Sequence, residues 1–216
     1  MNTPQANLAL AVIGLIALII GLTVFNMNTH VKSVAIDEQL QHATYLYDQQ
    51  VAIPDFKFID HHGQSFSKQN IQDKWTLWFF GFTHCPDICP TTLATLSHSL
   101  SLIDTQQADQ DLAIVFVSVD PERDTPDHIN NYISGFDSRI IGTSAYDESL
   151  AVFLKNMGII ATLNKADETD TSYQVDHSSA VYLIAPDSAI TAVFNTPHQA
   201  STIAADYLTI RAHLAL

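Results

Sequence analysis

Cysteine is nearly absent: two residues in 216. That leaves material for at most one disulfide, and no second short-spaced Cys or His pair completes the usual four-ligand structural zinc site. Basic side chains are scarce as well, with nine Lys and Arg against 23 Asp and Glu and a formal net charge of −14. Such a surface repels phosphate backbones, so nucleic acid is not an expected partner. The chain also lacks internal repeats and low-complexity tracts. What it does have is 47% apolar residues, enough for one well-filled core, and one folded domain is expected.

The first apolar feature is Leu8 to Phe25, interrupted only by Gly14, Gly21 and Thr23. About 18 residues at ~1.5 Å rise each approach the ~30 Å of a hydrocarbon core. No Lys or Arg precedes the run and no small-residue cleavage site follows it, so an uncleaved anchor is expected rather than a signal peptide. No cysteine stands nearby to carry a lipid, and no Arg-rich presequence precedes the run. The organisation expected is an anchor over 1–28, a polar linker over 29–50 with a short helix around Glu38 to Tyr47, and a folded domain over 51–216. A single-pass bacterial envelope protein is the corresponding location, and Lys32, the one basic residue flanking the run, does not fix which side the domain faces.

Both cysteines fall in Phe80-Gly81-Phe82-Thr83-His84-Cys85-Pro86-Asp87-Ile88-Cys89-Pro90, directly after a strand-like stretch. At the start of a helix, a C-x-x-x-C spacing puts both sulfurs on one face. They can then converge on one soft metal ion or close a strained disulfide. Pro90 suits a first helical turn, and a helix N-terminus favours thiolates, so reactive thiols are expected.

Around this run the periodicities are regular. Trp75 to Phe82 and Leu112 to Val119 read as strands, with Thr91 to Ile103 as the helix between them. Asp127 to Phe136 and Glu148 to Met157 read as helices, the second closed by Gly158. Ser179 to Ala185 and Ile190 to Phe194 read as strands around a turn at Pro186-Asp187-Ser188, and Ser201 to Leu214 as a closing helix. The order is that of an α/β, thioredoxin-like fold, a central mixed sheet flanked by helices.

Three blocks carry a resemblance. Phe79 to Leu93, Val117 to Pro126 and Val175-Asp176-His177-Ser178 closely resemble the SCO/SenC family of copper proteins, in the right order. The resemblance implies a thioredoxin-like domain that faces the periplasm from the bacterial inner membrane, binds one copper, Cu(I) or Cu(II), and assists assembly of cytochrome c oxidase. Its partners would be the copper-bearing oxidase subunit, another copper chaperone or a thiol reductant. The implied ligands are Cys85, Cys89 and His177. Their chemistry agrees: thiolates favour Cu(I), imidazole suits either oxidation state, and three ligands leave the ion open to transfer. An envelope thiol-disulfide reductase using Cys85 and Cys89 is the main alternative, with a copper or redox sensor and a peroxidase behind it. Thioredoxin-type oxidoreductases place a cis-proline ahead of the late strand, where this chain has Asp176-His177.

Other candidates surround these three. His84 is expected to point away from Cys85, so contact with a ligand or a partner suits it better than ligation. Asp120, in the Asp120-Pro121-Glu122-Arg123-Asp124 loop, and Asp176 are candidates for the same two roles. In that loop Asp124 or Thr125 can cap the following helix. His61-His62-Gly63 reads as a hairpin turn, and His30, His42 and His128 as solvated. The acidic Asp167-Glu168-Thr169-Asp170 segment reads as a solvated loop.

Overall fold

The protein is described by a computed structural model, covering residues 12–25, 36–46, 49, 51–106, 112–167 and 169–214. Two compact units are present, Met1–Gln39 and Leu40–Leu216. In the first, residues 12–25 form a helix, α1, whose side chains are exposed. Among the described residues no helix is long and apolar enough to cross a membrane. Residues 1–11 and 26–28 of the expected anchor, and residues 29–35, 47, 48 and 50 of the expected linker, lie outside the described residues.

The second unit is built on one eight-stranded sheet. In chain order its elements are β1 (Thr44–Tyr45), β2 (Lys57–Asp60), β3 (Ser65–Ser67), α2 (Lys68–Ile71), β4 (Thr76–Gly81) and α3 (Ile88–Thr105). There follow β5 (Ala113–Ser118), α4 (Pro126–Ile133), β6 (Ile140–Ser144), α5 (Ser149–Asn156), β7 (Ala161–Asn164) and β8 (Gln174–His177). The chain then closes with β9 (Val181–Ile184), β10 (Ile190–Phe194) and α6 (Ala200–Leu214). The sheet order is β1-β10-β9-β4-β5-β6-β2-β3, and β7-β8 form a separate two-stranded hairpin. Strand β4 runs parallel to β5 and antiparallel to β9, and β9 is antiparallel to β10. That is the expected mixed, thioredoxin-like core.

Strand β4 is central because all six of its residues are buried, and its period of two sends alternate side chains to opposite faces. On one face Trp78 and Phe80 meet Phe153 of α5, and Phe56, Phe58 and Phe66 complete the cluster at ring separations of 5.0 to 6.5 Å. Each such ring contributes about 1.5–3 kcal/mol by burial. On the other face lie Phe79 and Gly81, against Phe116 of β5 and Cys89 of α3. The sheet therefore delivers the cysteine helix to the end of β4.

Several segments depart from the sequence reading, the strands β7 and β8 among them. In place of the short helix expected around 38–47 stands a segment of turn and bends that runs into Thr44–Tyr45, paired to β10, with residue 47 outside the described residues. Its anchor is remote in sequence: the buried carboxylate of Asp206 on α6 accepts the N–H groups of Gln41, His42 and Ala43 at 2.8–2.9 Å. Strand β6 was not expected at all, yet it extends the sheet beyond β5 in parallel.

Candidate metal centre

The two arms of the site arrive from different elements. Cys85 lies in the loop after β4 and Cys89 in the first turn of α3, which starts earlier than the sequence period indicates, at Ile88. His177 ends β8, with Ala161 of β7 as its register partner. One donor atom from each of Cys85, Cys89 and His177 lies within 4.8 Å of the others. His177 Nε2 is 3.4 Å from Cys89 Sγ, and Cys89 N–H donates to Cys85 Sγ at 3.5 Å. Both cysteines are free thiols, Cys89 buried and Cys85 half-buried.

The histidine is presented in one usable form. Its Nδ1 is 3.0 Å from the carbonyl oxygen of Ser178. A carbonyl can only accept, so Nδ1 holds the proton and the Nε2 lone pair faces the sulfurs. Phe79 and Phe82 stand edge-on to the ring, at centroid distances of 6.2 and 5.8 Å, and fix its plane.

The expected thiolate stabilisation is reversed at Cys89. Burial pushes its thiol pKa far above the ordinary 9.0, and the nearby Cys85 adds to the rise, against a hydrogen bond to the Phe82 backbone that lowers it. Desolvation outweighs the helix N-terminus, so Cys89 is a neutral thiol until a cation or an oxidant arrives.

Two further residues shape the thiol arm, and neither was singled out as functional in the sequence. A Cβ at Gly81 would stand 2.8 Å from Cys89 Sγ and 3.1 Å from Phe79 and Phe116. Only glycine leaves the sulfur its place. A lone glycine closing an apolar strand is the signal that marks such a close approach. Asp124, wholly buried, accepts from Thr83 N–H at 2.9 Å, from Thr83 Oγ1 at 2.6 Å and from the Ser118 hydroxyl. It ties the loop ahead of Cys85 to the end of β5, while capping of α4 falls to Thr125.

Asp120 holds the other arm. It is fully buried, which removes it as a surface contact for a partner. Its carboxylate accepts from Tyr173 Oη and from Arg123 Nε, both at 2.6 Å. Arg123 in turn donates to the Tyr173 carbonyl at 2.9 Å and lies over the Tyr173 ring at 3.6 Å. Tyr173 immediately precedes β8, so this cluster pins the start of the strand that ends in His177. Asp176 points elsewhere, accepting from Asn164 Nδ2 across the hairpin at 2.9 Å.

His84 is not among the converging donors; it turns to Thr83 and Asp124. His128, expected in solvent alone, has its ring 5.3 Å from that of His84. Of the other histidines, His61 bonds the Gly142 backbone and His42 the Asn195 carbonyl.

A thioredoxin-like domain whose C-x-x-x-C helix start meets a histidine from a late hairpin presents a candidate soft-metal centre of two sulfurs and one nitrogen. A sequence model of the SCO1/SenC family matches residues 45–211, and the chain belongs to that family. It is similar to the mouse (Mus musculus) mitochondrial SCO2 homolog, 36% identical over 180 residues, covering 82% of this chain and 68% of the relative. A copper-bound crystal structure of ScoI from Arabidopsis thaliana superposes with TM-score 0.70 at 29% identity, over 75% of this chain and 99% of that one. Copper-bound ScoI from Bradyrhizobium japonicum does so with TM-score 0.64 at 32% identity, over 76% and 99%.

Proposed function

We propose that this protein binds one copper ion through Cys85, Cys89 and His177 and hands it on, as a copper chaperone serving the copper-bearing subunit of cytochrome c oxidase. The convergence of two thiols and one oriented imidazole Nε2 within 4.8 Å carries this reading. Two sulfurs hold Cu(I), the nitrogen admits Cu(II) as well, and a three-donor set lets an incoming ligand attach before an old one leaves. The copper-bound relatives and the family's tie to oxidase assembly support the same cargo and destination.

Anaerobic titration of the reduced full-length chain with Cu(I), in competition with a chromophoric chelator, tests it. One tightly held ion per chain is expected. Cys85→Ala and Cys89→Ala each abolish tight binding, and His177→Ala weakens it and changes the Cu(II) spectrum. Unaltered affinity and spectra in all three variants refute the site.

The paired free thiols also support a second reading, a reductase that prepares target cysteines. In that reaction a target disulfide becomes two thiols, while Cys85 and Cys89 give up two electrons and two protons to form their own disulfide. His177→Ala separates the two. It impairs oxidase assembly at limiting copper if delivery is the task, with partial recovery under excess copper, and leaves assembly intact if reduction is.

The apolar run from Leu8 to Phe25 supports an anchor in the bacterial inner membrane with the domain in the periplasm. A C-terminal reporter active only in the cytoplasm refutes that topology if it gives signal.

A further inference from the structure

We propose that His84 and His128 form an auxiliary copper site beside Cys85. Binding at this pair stands on its own geometry; its use as a point of entry to the sulfur site rests on the copper reading above.

His84 is held in one tautomer. The Thr83 hydroxyl gives its only proton to Asp124 Oδ1 at 2.6 Å, so towards His84 Nδ1, 3.1 Å away, it can only accept. The Asp124 carboxylate, 3.6 Å from the same nitrogen, reinforces that choice. Nδ1 is therefore the N–H, and Nε2 carries the lone pair. Among the described residues neither Nε2 of His84 nor the ring nitrogens of His128 have a hydrogen-bond partner. His128 is exposed and the His84 side chain is 40% exposed, so an ion in solution reaches both.

The spacing suits one ion. With metal–nitrogen bonds of about 2 Å, two imidazole centroids on one tetrahedral ion lie about 5 Å apart. The rings stand 5.3 Å apart at an interplanar angle of 48°. His128 is the third residue of α4, where the positive end of the helix opposes a cation. The buried Asp124 carboxylate and Asp127 in the first turn offset that. Two neutral imidazoles with water completing the shell bind Cu(I) or Cu(II) more weakly than two thiolates and a histidine. Such a site captures the ion one residue from Cys85 without competing for it at equilibrium.

The test uses the full-length chain in detergent micelles. In a Cys85→Ser/Cys89→Ser variant, one Cu(II) equivalent gives an EPR signal with nitrogen hyperfine structure from two imidazoles. His84→Gln or His128→Gln weakens that binding at least tenfold, whereas His61→Gln/His62→Gln does not. Should the serine variant fail to fold, the wild-type chain preloaded with one Cu(I) serves instead: a second, weaker equivalent binds and is lost in His128→Gln. An unchanged signal or second equivalent in His84→Gln/His128→Gln overturns the site. Loss of this binding on histidine substitution, in a chain whose thiols take no Cu(I), refutes the chaperone reading and leaves the auxiliary site standing. As an entry point, the pair speeds loading: His128→Gln slows transfer of Cu(I) from a small-molecule complex to the thiols severalfold at unchanged final affinity. Equal loading rates overturn the entry role.

Discussion

The two arms of the metal centre are built to different standards of rigidity. The thiol arm grows out of β4, the most buried strand, and is locked by Asp124 from beneath and by the absent Cβ of Gly81. The histidine arm sits on β7-β8, a hairpin outside the main sheet whose β7 residues Thr162, Leu163 and Asn164 are exposed. Its ties to the body include Asp120 with Arg123 and Tyr173, Glu122 with Lys165, and the rings of Phe79 and Phe82 against His177. Segments with little buried apolar contact open locally at low free energy, and buried strands do not. A carrier that must release its cargo gains from this division, because one ligand can leave while two remain.

Damage to the thiol arm should therefore be global, and the largest effect is expected for Asp124→Ala. Three donors, Thr83 N–H, Thr83 Oγ1 and Ser118 Oγ, would lose their acceptor in a buried site. At about 1–3 kcal/mol for each unsatisfied group, the loss is on the order of 3 kcal/mol or more. Urea unfolding of the copper-free chain should show a lowered midpoint together with lost copper affinity. Normal stability with normal affinity would remove Asp124 from the thiol arm.

Gly81→Ala comes next. The new methyl group meets Cys89 Sγ at 2.8 Å and two phenyl rings at 3.1 Å, so the sulfur or the strand must shift. Overpacking of this kind costs about 1–3 kcal/mol. The displaced sulfur should weaken Cu(I) binding even in variants that remain folded. Retained affinity would show that the thiol arm is softer than its burial indicates.

Asp120→Asn probes the other arm and should leave the body intact. Asparagine keeps an acceptor for Tyr173 but loses the charge that holds Arg123. Groups that orient a metal-ligating histidine are typically worth about 10–100-fold in affinity. The expected outcome is a loss in that range, a changed Cu(II) spectrum, and an unfolding midpoint shifted less than in Asp124→Ala. A midpoint falling as far as in that variant would mean the two arms are one structural unit.

The difference between the arms also governs what could be read from sequence. The thiol arm was legible because β4 and β5 are largely apolar runs of six residues flanking a helix with apolar spacing, and the cysteines sit at the strand-to-helix junction. The histidine arm was not. β7 and β8 consist largely of polar, exposed residues such as Thr162, Asn164, Gln174 and Asp176, and no apolar alternation announces the pairing. His177 was reached through the resemblance of its short block and its place ahead of the late strand. β6 escaped for the opposite reason: Ile140-Ile141-Gly142-Thr143-Ser144 is short and largely buried, with little period of its own, and depends on β5 for its place. Asp124, Asp206 and the His84–His128 pair depend on contacts remote in sequence, which no local pattern reports.

The last effect expected is on pH dependence, and it also belongs to the thiol arm. Burial raises the Cys89 pKa above 9.0 in the folded, copper-free chain, so the group is protonated throughout the neutral range. Copper binds the thiolate, and loading must expel that proton. Each proton expelled makes affinity rise about tenfold per pH unit, or about 1.4 kcal/mol. Between pH 6 and 8 copper affinity should therefore increase with pH, and calorimetry in buffers of different ionisation enthalpy should show proton release on loading. The sign for folding is the reverse. The folded state disfavours the Cys89 thiolate, so copper-free stability is unaffected by this group below pH 9.0 and declines as pH rises above it. Copper affinity that stays flat from pH 6 to 8, with no proton release, would mean that Cys89 is already a thiolate and that the helix N-terminus, not burial, sets its charge.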